Sequence, residues 1–468
     1  RRVEEGGCPA AVSGLQPVQR ACVGAAVAAA CGRPAVFLCG DEREVQVLSA
    51  DLETLTGRRP VTLLGREWQF RPGAVGSRDW ERSRLAALYA LAQGDAPVVV
   101  ATADGLMART LPPETLRSLA ITLEVGGQAE LGALAEQLLS AGYTRCEQVE
   151  GVGQFALRGG ILDVFSPLMD QPVRCEFFDD EIDSMGAFDP GTQRRTRNVS
   201  SARILPAAEV LPHCAPGGLP GLADQLTALA EKLAKKQKTE AIVQTLREDA
   251  ERLRSGAAPG AADRYLAAIY PTVTAGVHYL PPDAVVFLSE SGRVDERVKN
   301  TVLQQKQDVE ALLSAGVLAG EYAHLTLTAE ELYAALEDFP VILEDSLPTS
   351  RHPLRPRGLL TMNAKQLSSY GGSLETAVTD LEHYRSSGSA VLVLCGGETR
   401  AKNLHRLLEE KGIPATLDLS GAAMPAAGEV RLSLGALSAG SEWPALKLAV
   451  LTEGQLTAPA MRKRQRVK

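Results

Sequence analysis

The chain has 468 residues, room for about three domains at ~100–200 residues each, with ordinary hydrophobic (45%) and charged (23%) fractions for a globular protein. A formal net charge of -8 and a pI near 5.5 exclude a broad phosphate clamp, which needs a basic face. No long apolar run occurs, which excludes an apolar membrane-spanning helix, and Arg1 in place of Met, with no signal-peptide pattern after it, reads as a trimmed or incomplete start.

Residues 1–122 alternate helix and strand. An Ala/Val-rich helix is predicted over 18–30, a short apolar strand over 35–39, helix-period residues over 45–55, and strands at 61–64 and 98–101. Strands alternating with helices point to a parallel, doubly wound sheet. The turn before the first helix, Ser13-Gly14-Leu15-Gln16-Pro17-Val18-Gln19-Arg20, lies where a phosphate loop would fall. It has the turn glycine, but it lacks the Lys that would meet the β/γ-phosphates and the hydroxyl that would hold magnesium. No Lys follows a Gly anywhere in the chain. The expectation is a degenerate P-loop-type sheet (Ser13, Gly14, Pro17) with no bound nucleotide and no catalytic residue.

The texture changes near Gly126. Residues 123–207 carry short alternating runs, at 154–158, 160–165, 173–178 and 184–188, separated by turn residues, and predict an antiparallel β-rich insertion. Side chains alternate along a strand, so Val173, Cys175 and Phe177 share one face, an apolar set suited to a core. Arg174, Glu176 and Phe178 share the other, which sets an aromatic ring beside an arginine, residue types enriched at interface hot spots. Spacing leaves a second reading open, in which Phe178 packs under a neighbouring loop and Arg174 pairs with Glu176 or Asp180. Nor does spacing say whether Arg158 shares the face of Arg174 and Phe178.

Residues 208–345 return to helix and strand, with helical texture over 219–254, a Gly/Ala/Pro stretch over 255–262, a strand at 284–288 and a helix over 294–313. The insertion is therefore expected to interrupt one α/β domain. A Pro/Arg-rich linker, 346–358, leads to a small α/β unit over 359–455 with helices at 374–386 and 400–411 and strands at 391–395 and 447–451. Residues 456–468 form a basic linker through Arg462, Lys463, Arg464, Arg466 and Lys468, read as solvated chain ahead of a phosphate or partner contact.

Eight cysteines include no Cys-x-x-Cys pair and six histidines show no paired spacing, so no metal site is expected. Cys39 and Cys395 end apolar runs and read as small buried hydrophobes of a reducing cytoplasm. Asp41-Glu42 and Asp179-Asp180-Glu181 follow strands, as magnesium ligands can, but without a phosphate site they read as turn residues or helix caps. Gly-x-Ser-x-Gly, His-Glu-x-x-His and Gly-x-Gly-x-x-Gly motifs are all missing.

The segment Val149-Glu150-Gly151-Val152-Gly153-Gln154-Phe155, continuing through Arg158-Gly159-Gly160-Ile161-Leu162-Asp163-Val164-Phe165, carries a resemblance. So do Glu176-Phe177-Phe178-Asp179-Asp180-Glu181-Ile182-Asp183-Ser184, Phe188-Asp189 and Gln193-Arg194. Together they resemble the UvrA-binding domain shared by bacterial transcription-repair coupling factors and the excision-repair protein UvrB. Flanking pieces resemble the first and third domains of a coupling factor: Arg78-Asp79-Trp80-Glu81-Arg82, Leu111-Pro112-Pro113, Asp263-Arg264-Tyr265-Leu266, Tyr279-Leu280-Pro281 and Ser369-Tyr370-Gly371-Gly372. The likeness covers nearly the whole chain, more loosely outside the insertion. It implies UvrA contacts at Arg158, Arg174 and Phe178. It also implies downstream an RNA-polymerase-binding domain and an ATP- and magnesium-dependent translocase on double-stranded DNA, restrained by contact with this half. The runner-up, a degenerate UvrB-like ATPase or helicase subunit, would bring an intact Gly-Lys-Thr loop and an aromatic DNA-wedging hairpin, and this sequence has neither.

Overall fold

Continuous apolar runs mark strands covered on both faces, because alternation is needed only where one face meets water. Ala35–Cys39, Val98–Thr102 and Val285–Ser289 are buried at every position. In the computed structural model, which describes residues 3–71, 79–235, 240–370, 374–421 and 423–457, they form the centre of a seven-stranded parallel sheet. Its order is Gly358–Thr361, Ala10–Ser13, Val341–Asp345, Val285–Ser289, Ala35–Cys39, Val98–Thr102, Val61–Leu63. One face packs against helices Pro17–Cys31 and Glu42–Thr56 through Ala21, Ala28, Val45, Leu48 and Leu52. Phe37 and Phe287 stack there with ring centroids 4.8 Å apart, and Gly24 lets the helix approach, since a Cβ would lie 2.4 Å from the Phe37 ring. The opposite face is covered by helices Asp79–Gln93, Gly218–Lys235, Glu240–Arg254 and Ser291–Ser314.

Strands from before and after the insertion thus lie side by side in one sheet. The insertion leaves through Ile121–Glu124 and returns through Ser201–Ile204, and these two pair antiparallel, Ile121 opposite Ile204 and Glu124 opposite Ser201. Just past that neck, the fully buried Glu209 receives hydrogen bonds from Arg84 and Thr110 and ties the returning chain to the large sheet.

Within the insertion a six-stranded sheet runs in the order Arg195–Asn198, Glu181–Phe188, Val173–Phe178, Ile161–Val164, Gln154–Arg158, Thr144–Arg145. Five of its strands alternate antiparallel, as the sequence predicts. Thr144–Arg145 instead pairs parallel with Gln154–Arg158, because a loop rather than a tight hairpin joins them. Helix Leu131–Ser140 lays Leu134 and Leu138 onto Phe155, Leu162, Val164, Val173, Cys175, Ile182 and Met185, a core of its own.

The last sheet orders Lys365–Leu367, Gly440–Trp443, Leu448–Thr452, Ala390–Cys395, Val430–Leu434, Ala415–Asp418, with helices Leu374–Ser386, Glu398–Glu410 and Glu453–Thr457 on one face. It rests on helix Glu42–Thr56, where the buried Asp51 accepts hydrogen bonds of 2.6 Å from both the Ser438 amide and hydroxyl. Gly358–Thr361, which the sequence reading splits between linker and last unit, is instead an edge of the large sheet. Leu359 and Leu360 are exposed there, so no burial pattern announced the strand. Arg78, Gly371, Gly372 and the basic run from Arg462 to Lys468 lie outside the described residues. Among the described residues no helix is long and apolar enough to cross a membrane, and no group of His, Cys, Asp and Glu is placed to hold a metal ion.

Candidate docking face

The turn Ser13-Gly14-Leu15-Gln16 joins a parallel strand to the N-terminus of helix Pro17–Cys31, the position from which backbone amides can cradle phosphate. Its own side chains occupy that role. Leu15 is fully buried and its N–H donates to the Asp345 carbonyl, Gln16 N–H donates to Gln19 Oε1, and Pro17 has no N–H. The Arg20 side chain, 2% exposed, reaches Glu290, Glu44 (3.2 Å) and the Leu15 carbonyl. Glu344, on the neighbouring strand, is completely buried, and burial pushes its pKa well above the usual carboxylate range. A triphosphate would have to displace an internal ion-pair network here and would find no lysine, so these residues do not fit a nucleotide. Asp41 caps helix Glu42–Thr56 by accepting from the Glu44 amide at 2.8 Å and pairs with Arg293 at 2.7 Å. Asp179 holds the left-handed position of the hairpin turn between Val173–Phe178 and Glu181–Phe188.

The insertion sheet is different. Its helix-covered face takes Val173 and Cys175, with Phe177 packed at the margin, and burial pushes the Cys175 thiol up to about 12. Its other face carries Arg158, Asp163, Arg174, Glu176 and Phe178. Asp163, with no exposed side-chain surface, sits directly opposite Arg174 on the adjacent strand. Arg174 donates from Nε to Oδ1 at 2.7 Å and from Nη2 to Oδ2 at 2.8 Å, a bidentate pair. Arg158 donates from Nη2 to the same Oδ2 at 2.7 Å. One buried carboxylate therefore brings both arginines to one face, answering the question that spacing left open for Arg158.

Arg174 also lies over Phe188, its guanidinium carbon 4.6 Å from the ring centre, and the hydrogen bond to Asp163 raises its pKa further. Glu176 accepts instead from Ser184 at 2.9 Å, so Arg174 pairs with neither of the carboxylates proposed from spacing. Phe178 lies under no loop. It is the most exposed large hydrophobic side chain among the described residues at 77%, against 50% for the Arg158 side chain and 21% for that of Arg174.

The sequence reading missed Asp163 and Phe188. Alternation in Ile161–Val164 puts Leu162 and Val164 in the core and hence Asp163 outward, a signal that was available. That Asp163 meets Arg174 depends on register, which alternation does not supply.

An exposed aromatic ring and two braced arginines share one sheet face, and these residue types are enriched at interface hot spots. Residues 121–209 match the family model for the UvrB interaction domain, a span that opens on Ile121, the first residue of the neck. The chain is similar over 97% of its length to the transcription-repair-coupling factor of Bacillus subtilis strain 168, at 27% identity. Those of Myxococcus xanthus (29% identity, 86% of this chain) and Staphylococcus aureus USA300 (26%, 82%) are similar as well.

The likeness is to transcription-repair coupling factors.

The chain spans 39% of the Bacillus coupling factor, 34% of the Myxococcus one and 32% of the Staphylococcus one. The coupling-factor likeness extends through the large sheet, its insertion and the small α/β unit, consistent with the N-terminal region of such a factor.

Proposed function

We propose that this chain is the recruiting module of a transcription-repair coupling factor, and that the Arg158–Arg174–Phe178 face binds UvrA. The observation that carries the proposal is the exposed Phe178 on the same sheet face as two arginines locked on Asp163, within a span matching the UvrB interaction domain. UvrA is recruited in this way to RNA polymerase stalled at DNA lesions, in the cytoplasm. Polymerase contact, translocation on double-stranded DNA, and ATP with magnesium belong to the remaining length of the parent, which this half restrains by intramolecular contact until it engages. This chain itself binds no nucleotide and catalyses nothing. The alternative, a UvrB-like ATPase subunit, is disfavoured by the Arg20 ion pairs and Leu15 filling the turn where nucleotide would bind. Titrating purified UvrA into the chain tests the proposal: saturable binding that weakens on Phe178→Ala without loss of fold supports it, and no binding by the folded wild-type chain refutes it.

A further inference from the structure

The edge strand Arg195–Asn198 is exposed at every position. Arg195 lies opposite Phe188 just past an irregularity in the register, and its side chain lies on the Cβ side of Gly186, the face that carries Arg158 and Arg174. Its side chain crosses the sheet over Gly186, the residue opposite Arg174 on the next strand. A Cβ at position 186 would lie 1.8 Å from Arg195 Nε and 2.7 Å from Cζ, so only glycine there leaves this path open. The guanidinium is held at its far end, where Nη2 donates to Ser184 Oγ at 3.2 Å, and Ser184 in turn donates to Glu176. Arg195 is otherwise exposed.

We infer that Arg195 is a further member of the docking face and that, together with Arg158, it selects a protein partner with carboxylates on either side of a cleft that takes Phe178. This rests on the recruiting function proposed above. With Arg195 folded over the strand Glu181–Phe188 and the Arg158 head drawn to Asp163, the two guanidinium heads lie over strands about two spacings apart, roughly 10 Å. Arginine's planar fork suits bidentate carboxylate contacts, and each head keeps free donors for one. Asp163 is consumed by Arg158 and Arg174, and Glu176 is engaged by Ser184, whereas Asp179, Asp180 and Glu181 stand exposed at the tip beside Phe178. A nucleic-acid backbone would be repelled by that tip and by the chain's net charge of -8, while a protein surface of mixed charge complements it.

The test measures the affinity of the full chain for purified UvrA over a range of salt concentrations, for wild type, Arg195→Glu, Arg195→Ala and Gly186→Ala, with melting temperatures alongside. Arg195→Glu is expected to weaken binding about tenfold or more and to reduce its salt dependence with the fold intact; Arg195→Ala should fall between it and wild type. Gly186→Ala, which keeps every charge but blocks the path, should weaken binding as well. Wild-type binding with an Arg195→Glu affinity and salt dependence equal to wild type overturns this inference and leaves the recruiting function standing. No wild-type binding overturns the recruiting function, and this inference with it. A labelled DNA duplex is the control: if Arg195→Glu abolishes duplex binding and leaves UvrA binding unchanged, the face reads phosphate and the inference is wrong.

Discussion

Asp163 and Arg174 face each other across two antiparallel strands and are joined by paired hydrogen bonds of 2.7 and 2.8 Å. The same carboxylate holds Arg158 at 2.7 Å, so a residue with no exposed surface sets the direction of two arginines that have some. Asp163→Ala should therefore cost about 1–3 kcal/mol of stability, the penalty of stranding partly buried charged donors. It should also weaken UvrA binding although Asp163 cannot touch a partner. Melting temperature and affinity read the two effects separately, and Asp163→Asn, which keeps the shape and an acceptor, should lie between. An Asp163→Ala variant indistinguishable from wild type in both would show that the arginines orient themselves.

Phe177 and Phe178 are adjacent yet belong to opposite faces, the first packed at the core margin and the second 77% exposed. Phe178→Ala should melt within about 0.5 kcal/mol of wild type, as surface substitutions do. Phe177→Ala should be destabilised, toward or below the lower end of the ~3–5 kcal/mol expected of a fully buried aromatic, because Phe177 is only half-buried. Thermal melts of the two variants decide it, and the reverse order would invert the assignment of faces.

Glu344 is buried without a hydrogen-bond partner for either carboxyl oxygen among the described residues, and burial raises its pKa well above the usual glutamate value. An acid with a raised folded-state pKa favours folding below its unfolded pKa, near 4.5, and that contribution is lost as pH rises toward the folded value. Glu344→Gln, fixed in the neutral form, should match wild type near pH 4.5 and become relatively more stable toward pH 8. Paired melts across that range test this; a variant that loses ground as pH rises would mean that Glu344 is native as a charged partner of Arg20.

The turn before helix Pro17–Cys31 predicts no nucleotide chemistry in this chain. No DNA- or RNA-stimulated ATP hydrolysis is expected above a no-protein control, and no micromolar ATP binding by calorimetry. Turnover abolished by Arg20→Ala or Asp41→Ala would overturn this.

Residues 121–209 should fold when excised, since helix Leu131–Ser140 and the six-stranded sheet share a core and the two neck strands pair with each other. Dispersed amide NMR resonances are the expected outcome, and a collapsed spectrum would count against an independent unit.

The sequence carries local pattern well and register poorly. Strands Gln154–Arg158 and Val173–Phe178 and helix Leu374–Ser386 fall where periodicity put them, because alternation and helical spacing are properties of single segments. Gly358–Thr361 escaped notice because its apolar residues are exposed at an edge, and its membership of the large sheet depends on a partner far away in sequence. The site divided in the same way. Phe178 and Arg174 were visible from alternation, whereas Arg158 joined them only through Asp163 and Arg195 only through its path over Gly186. Both are consequences of which strands neighbour which, and no single strand encodes that.

The most direct measurement is a titration of purified UvrA into the folded 468-residue chain, compared with Arg158→Ala, Arg174→Ala and Phe178→Ala at matched salt. The account predicts saturable wild-type binding that each substitution weakens. Phe178→Ala should do so most cleanly, by ~2 kcal/mol or about thirtyfold, with an unchanged melting temperature. Binding that survives all three substitutions undiminished, or no binding by the folded wild-type chain, would contradict it.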